Sequence, residues 1–139
     1  MTGLDRFVQA QDAVYPTALR ELRAGRKRTH WIWYIFPQLA GLGFSERAHF
    51  YGLASLAEAA AYLAHPLLGP RLVECAAAML GHGDATALEI LGSPDDMKFQ
   101  SSMTLFSRVA GADSVFTAAL GHFFDGREDG RTLALLGLG

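Results

Sequence analysis

The chain has 139 residues, half of them hydrophobic and 19% charged, with a formal net charge of −2. That length predicts one domain over residues 1–139, with a full apolar core, and the composition excludes a disordered chain. A weakly acidic total also speaks against a general nucleic-acid binder.

The apolar residues are of the kind helices prefer. Alanine and leucine number 42 against 8 valines and isoleucines, a bias that a sheet protein would reverse. The predicted fold is therefore all-α: seven to nine short helices, compact, without a substantial sheet. Nothing approaches the ~20 apolar residues of a membrane span, and the start Met1-Thr2-Gly3-Leu4-Asp5-Arg6 lacks the regions of a signal peptide. A single cysteine, Cys75, leaves no internal disulfide. A cytoplasmic protein without membrane contact is the expectation.

In chain order, a first helix is predicted over residues 4–11. A second, restarted by Asp12 as N-cap, runs to Ala24, so that Pro16 falls in its first turn, where an absent N–H does no harm. Val14, Ala18, Leu19 and Leu22 form its buried stripe, and Gly25 ends it. Next comes His30-Trp31-Ile32-Trp33-Tyr34-Ile35-Phe36-Pro37-Gln38, read as a short buried helix opened by Thr29. Ser45 caps a helix through Tyr51, and Ser55-Leu56-Ala57-Glu58 reads as a capping box for a helix to Ala64. Pro70 opens a helix whose Leu72, Ala76, Met79 and Leu80 face inward, closed by Gly81. Asp84 caps a helix to Leu91. Ser93-Pro94-Asp95-Asp96 starts one that reaches Val109. Asp113 and Asp129 cap two last helices, over 115–124 and 131–136.

Chemistry has two candidate places. On the 94–109 helix, Phe99, Met103, Phe106 and Ala110 make the core stripe, while Lys98, Ser101, Ser102 and Leu105 share the adjacent face. Lysine one turn from two hydroxyls suits an anion, or a serine nucleophile, or simply a wet helix flank. In the 30–38 segment, His30 and Gln38 bracket four aromatic residues beside the basic cluster Arg20, Arg23, Arg26, Lys27 and Arg28. Aromatic faces beside cations suit a flat anionic ligand; the same rings also suit a core.

The leading reading is a small anionic or nucleotide-like ligand held by His30, Trp31, Trp33, Gln38, Lys98, Ser101 and Ser102. Trp31 or Trp33 serves as stacking wall, and His30 is the best candidate acid–base. A non-enzymatic module that docks a partner protein is the alternative. None of the five histidines pairs with another at ligand spacing, and Gly41-Leu42-Gly43 follows no strand, so neither a metal nor a cofactor is predicted. Cys75, among alanines, reads as a buried inert thiol, and His65 as a helix cap.

Three stretches carry a family resemblance: the 30–39 segment, Ala61-Tyr62-Leu63-Ala64-His65-Pro66-Leu67-Leu68-Gly69-Pro70-Arg71-Leu72, and Gly92-Ser93-Pro94-Asp95-Asp96-Met97-Lys98 with Ser101-Ser102-Met103-Thr104-Leu105-Phe106. In this order they resemble the bacterial family catalogued as domain of unknown function eighteen-ten, some of whose members carry the label calpastatin. The resemblance spans Arg6-Phe7 to Leu136 and implies a small, mainly helical, cytosolic protein, with no activity attached. Phe7-Val8-Gln9-Ala10-Gln11 and His65-Pro66-Leu67-Leu68 are also similar to pieces of the helical NADAR proteins. That likeness implies N-glycosidase-like cleavage of ADP-ribose-type substrates, although the acidic and tryptophan-rich motifs of that family have no counterpart downstream.

Overall fold

The computed structural model describes residues 3–138, and among these the fold is nine α-helices around one connected core. They are α1 (Asp5–Ala24), α2 (Ile32–Ile35), α3 (Glu46–Phe50), α4 (Leu56–Ala64), α5 (Leu68–Leu80), α6 (Ala87–Leu91), α7 (Asp95–Ala110), α8 (Val115–Phe124) and α9 (Gly130–Leu135). The all-α expectation holds. No helix among the described residues is long and apolar enough to cross a membrane.

The 4–11 and 12–24 segments are not two helices but one. Pro16 lies inside α1 and Asp12 caps nothing. Both residues are exposed, so the Asp12 carbonyl, left without a residue-16 N–H, sits at a surface position open to solvent. The continuous face Phe7, Gln11, Ala18 and Leu22 offsets the proline's cost of roughly 3 kcal/mol, because only an unbroken helix places all four inside. Of the predicted stripe, Ala18 and Leu22 are fully buried, Leu19 partly, and Val14 stays at the margin.

Four predicted caps move. Thr29 does not open α2; its hydroxyl goes to Glu21, and Trp31 precedes the helix without a side-chain cap. Thr86, not Asp84, caps α6, since Thr86 and Glu89 satisfy each other's backbone donors as a true capping box. Ser93 leaves α7 uncapped by a side chain; the peptide before Pro94 is cis, and the first helical residue is Asp95. Ser114 replaces Asp113 before α8. The Ser55 box is half formed: Ser55 accepts the Glu58 N–H, while Glu58 turns to the Ala54 N–H and to Arg6. Ser45 and Asp129 cap as the sequence predicts.

Helix α7 is the axis of the fold and touches α2, α4, α6, α8 and α9. Ser101 through Ser107 are buried without interruption, and Ala110, predicted inside, is exposed. The core is aromatic: Phe36 meets Phe99 edge-on at 4.8 Å between ring centroids, and Phe7 meets Tyr62 at 5.1 Å. Where α4 turns into α5, a Cβ on Gly69 would lie 2.0 Å from the Leu63 carbonyl oxygen, so only glycine permits this approach. His65 holds the same corner, its Nδ1 accepting the Leu67 and Leu68 N–H groups at the start of α5.

Candidate functional site

Gln38 follows α2, and its backbone is fixed by a short pairing with the chain before α4: its carbonyl accepts the Leu53 N–H at 3.0 Å, and Ala40 donates to Leu53 at 2.8 Å. Lys98 and Ser101 lie one turn apart on α7, where side chains three residues apart share a face. Arg131, in the first turn of α9, donates from its guanidinium to the Leu42 carbonyl at 3.1 Å. These elements enclose one cleft of about 220 Å³, lined among others by Gln38, Leu42, Met97, Lys98, Ser101 and Arg131. Three of the residues singled out in the sequence therefore converge. On the far side of Gln38 and Lys98 a narrower crevice runs down to Trp33, Phe36 and Tyr51.

The charges around the cleft are unevenly committed. The Lys27 ammonium pairs with the Asp95 Oδ2 at 2.9 Å, and the Lys27 side chain is only 7% exposed. Lys98 reaches the other Asp95 oxygen at 3.7 Å, a looser contact at a more open position. Asp129 is occupied as well. Its Oδ2 accepts the Thr132 N–H at 3.0 Å and the Thr132 hydroxyl at 2.6 Å, and lies 3.1 Å from the Ser101 Oγ. The Ser101 Oγ is equally close to the Met97 carbonyl, and its single proton serves one acceptor at a time. The Asp129 N–H in turn donates to Thr104, which fastens the start of α9 to α7.

Trp33 carries two cations over its ring, Arg47 at 4.9 Å and Lys98 at 5.1 Å from the centroid. Its indole N–H is enclosed and has no hydrogen-bond partner among the described residues.

The other predicted contacts lie elsewhere. Trp31 is no stacking wall: it is 1% exposed, and its indole N–H donates to Glu21 inside the protein. Ser102 is fully buried in the core without a hydrogen-bond partner among the described residues, and lines no part of the cleft. His30 is exposed, outside the cleft lining, and its backbone carbonyl accepts the Tyr34 hydroxyl. Of the basic cluster, Arg23 pairs with Glu74 and Lys27 with Asp95.

Two members of the site went unread in the sequence. Arg131 and Leu42 stand far apart in the chain, and no local spacing announces that they meet. Asp129 was legible only as a cap. Cys75 is buried, and burial pushes its thiol up to about 12 against the smaller pull of the Tyr15 hydroxyl. Among the described residues no group of three His, Cys, Asp or Glu side chains is placed to hold a metal ion.

Comparisons with known proteins agree on kinship. The sequence model of a family described as "Protein of unknown function (DUF1810)" matches residues 1–136. The crystal structure of the conserved hypothetical protein Rv1873 from Mycobacterium tuberculosis is similar over nearly the whole chain. Identity is 53%, the TM-score is 0.94, and the match covers 98% of this chain and 97% of that one. No curated protein matches.

Proposed function

We propose that this chain, which belongs to the DUF1810 family, binds a small anion in the cleft between Gln38, α7 and α9. One observation carries the reading: Lys98 and Arg131, cations from helices far apart in sequence, line the same concave space. Two positive charges brought together repel each other, and a bound carboxylate or phosphate removes that cost. The nearby acids do not do so fully: Asp95 is shared with Lys27, which holds it closer, and the Asp129 carboxylate sets one negative charge in the cleft lining against two positive ones. Arg131 uses one N–H on Leu42, and a guanidinium has five to offer. The Gln38 side-chain amide adds a hydrogen-bond donor that orients a ligand.

The proposal is binding without an assigned reaction. His30, the acid–base candidate in the sequence, stands outside the cleft, and the Ser101 hydroxyl is engaged by its own neighbours. The N-glycosidase reading draws no support from this geometry.

A thermal-shift series with phosphate, small carboxylates, sugar phosphates and ADP-ribose tests the reading. An anion at a hundred times its Kd adds about 2.7 kcal/mol of stability. The shift should vanish in Lys98→Ala and Arg131→Gln. A flat series, with both variants folded, contradicts it.

A further inference from the structure

At about 220 Å³ the cleft falls below the roughly 300–1,000 Å³ of pockets that enclose a whole small-molecule ligand. It takes a charged head and leaves the rest of a larger molecule outside. What lies outside is specific. Gly43 lines the cleft and also borders a wider, open hollow of about 760 Å³ built by residues 43–51. Gly43 thus borders both spaces, and a Cβ there would lie 2.6 Å from the Ala48 Cβ. Into this hollow the chain presents Phe44, 95% exposed, and Phe50, 57% exposed. Two exposed phenylalanines lining one hollow beside polar side chains offer an apolar wall to a ligand.

Resting on the anion reading above, we propose that the ligand carries a flat aromatic ring, seated against Phe44 and Phe50 while its anionic head enters the cleft. A nucleoside monophosphate is the class that fits. Flat rings stack on phenylalanine and on imidazole, and His49 and Arg47 also line this hollow. The Arg47 guanidinium lies over the Trp33 ring, 4.9 Å from its centroid. The Glu46 carboxylate lines the hollow too, which disfavours a second anionic group there and accepts a hydrogen bond from a ring amine.

The test is isothermal titration of the full chain with adenosine monophosphate and with ribose 5-phosphate, which share the head and differ in the ring. Stacking of one base predicts at least about fivefold tighter binding of the adenosine monophosphate. The double variant Phe44→Ala, Phe50→Ala should remove that advantage and leave ribose 5-phosphate binding as in the parent chain. Both side chains are largely exposed, so the variant folds. Equal affinity of the two probes in the parent chain overturns the ring and leaves the anion cleft standing. An advantage that survives the double variant overturns the assigned seat. Failure of both probes to bind overturns the anion reading as well.

Discussion

The Glu21 carboxylate accepts the Trp31 indole N–H at 2.9 Å, ten residues along the chain and across the turn that joins α1 to α2. The same carboxylate takes the backbone N–H groups of Arg28 and Thr29 and the Thr29 hydroxyl. Burial alone would raise its pKa. The four donors outweigh burial and hold it at about 2, below the ordinary 4.5. One acid thus closes the loop between the first two helices and locks the tryptophan into the core.

A depressed folded-state value means that the contribution is fully present above about pH 4.5 and is lost as pH falls toward 2. Its full size is on the order of 3 kcal/mol. Urea unfolding at pH 6 should show Glu21→Gln less stable by about 2–3 kcal/mol, and the gap should narrow at pH 3. A gap independent of pH would contradict the role given to the charge.

Gly69→Ala sets two effects against each other. Alanine improves helix propensity by up to about 1 kcal/mol. The new Cβ, 2.0 Å from the Leu63 carbonyl oxygen, meets backbone that cannot turn aside. The clash wins: a loss of about 3 kcal/mol or more in denaturant unfolding is expected. A neutral result would refute the close approach of α4 and α5.

Asp95 distinguishes its two lysines. Lys27→Ala leaves a mostly buried carboxylate with only the longer Lys98 contact and should cost about 2–3 kcal/mol. Lys98→Ala removes a longer, more open contact and should cost less than about 1 kcal/mol. Equal losses in thermal unfolding would mean that Lys98 is committed to Asp95 rather than to the cleft.

Cys75 should ignore thiol reagents. With its thiol at about 12, roughly one molecule in ten thousand is thiolate at pH 8, and the sulfur is buried as well. Labelling in buffer should be negligible and should become rapid in denaturant. Rapid native labelling would contradict both burial and the raised value.

Local signals made much of this architecture readable. The leucine–alanine excess, the Ser45 and Asp129 caps, the end of α4 before His65-Pro66, and the Phe99, Met103, Phe106 stripe all appear in the structure. The errors came where a tertiary contact overruled a local rule. The buried face of α1 carried the helix through Pro16, and Glu21 drew Thr29 away from the cap it was assigned. At the site, Lys98 and Ser101 were legible because helical spacing places them together. Trp31 and Trp33, two residues apart and alike in chemistry, differ in what the fold sets beside them: Glu21 and Lys27 for one, Arg47 and Lys98 for the other. Arg131 answers to no sequence rule, since its place depends on α9 returning to the Leu42 loop.

The most direct measurement is a titration of the isotope-labelled protein with inorganic phosphate, followed by amide chemical shifts. The account predicts saturable shifts confined to Gln38, Leu42, Gly43, Lys98, Ser101 and the 129–131 turn, and their loss in Arg131→Gln. Shifts centred instead on Arg26, Arg28 and His30, or none at millimolar phosphate, would contradict it.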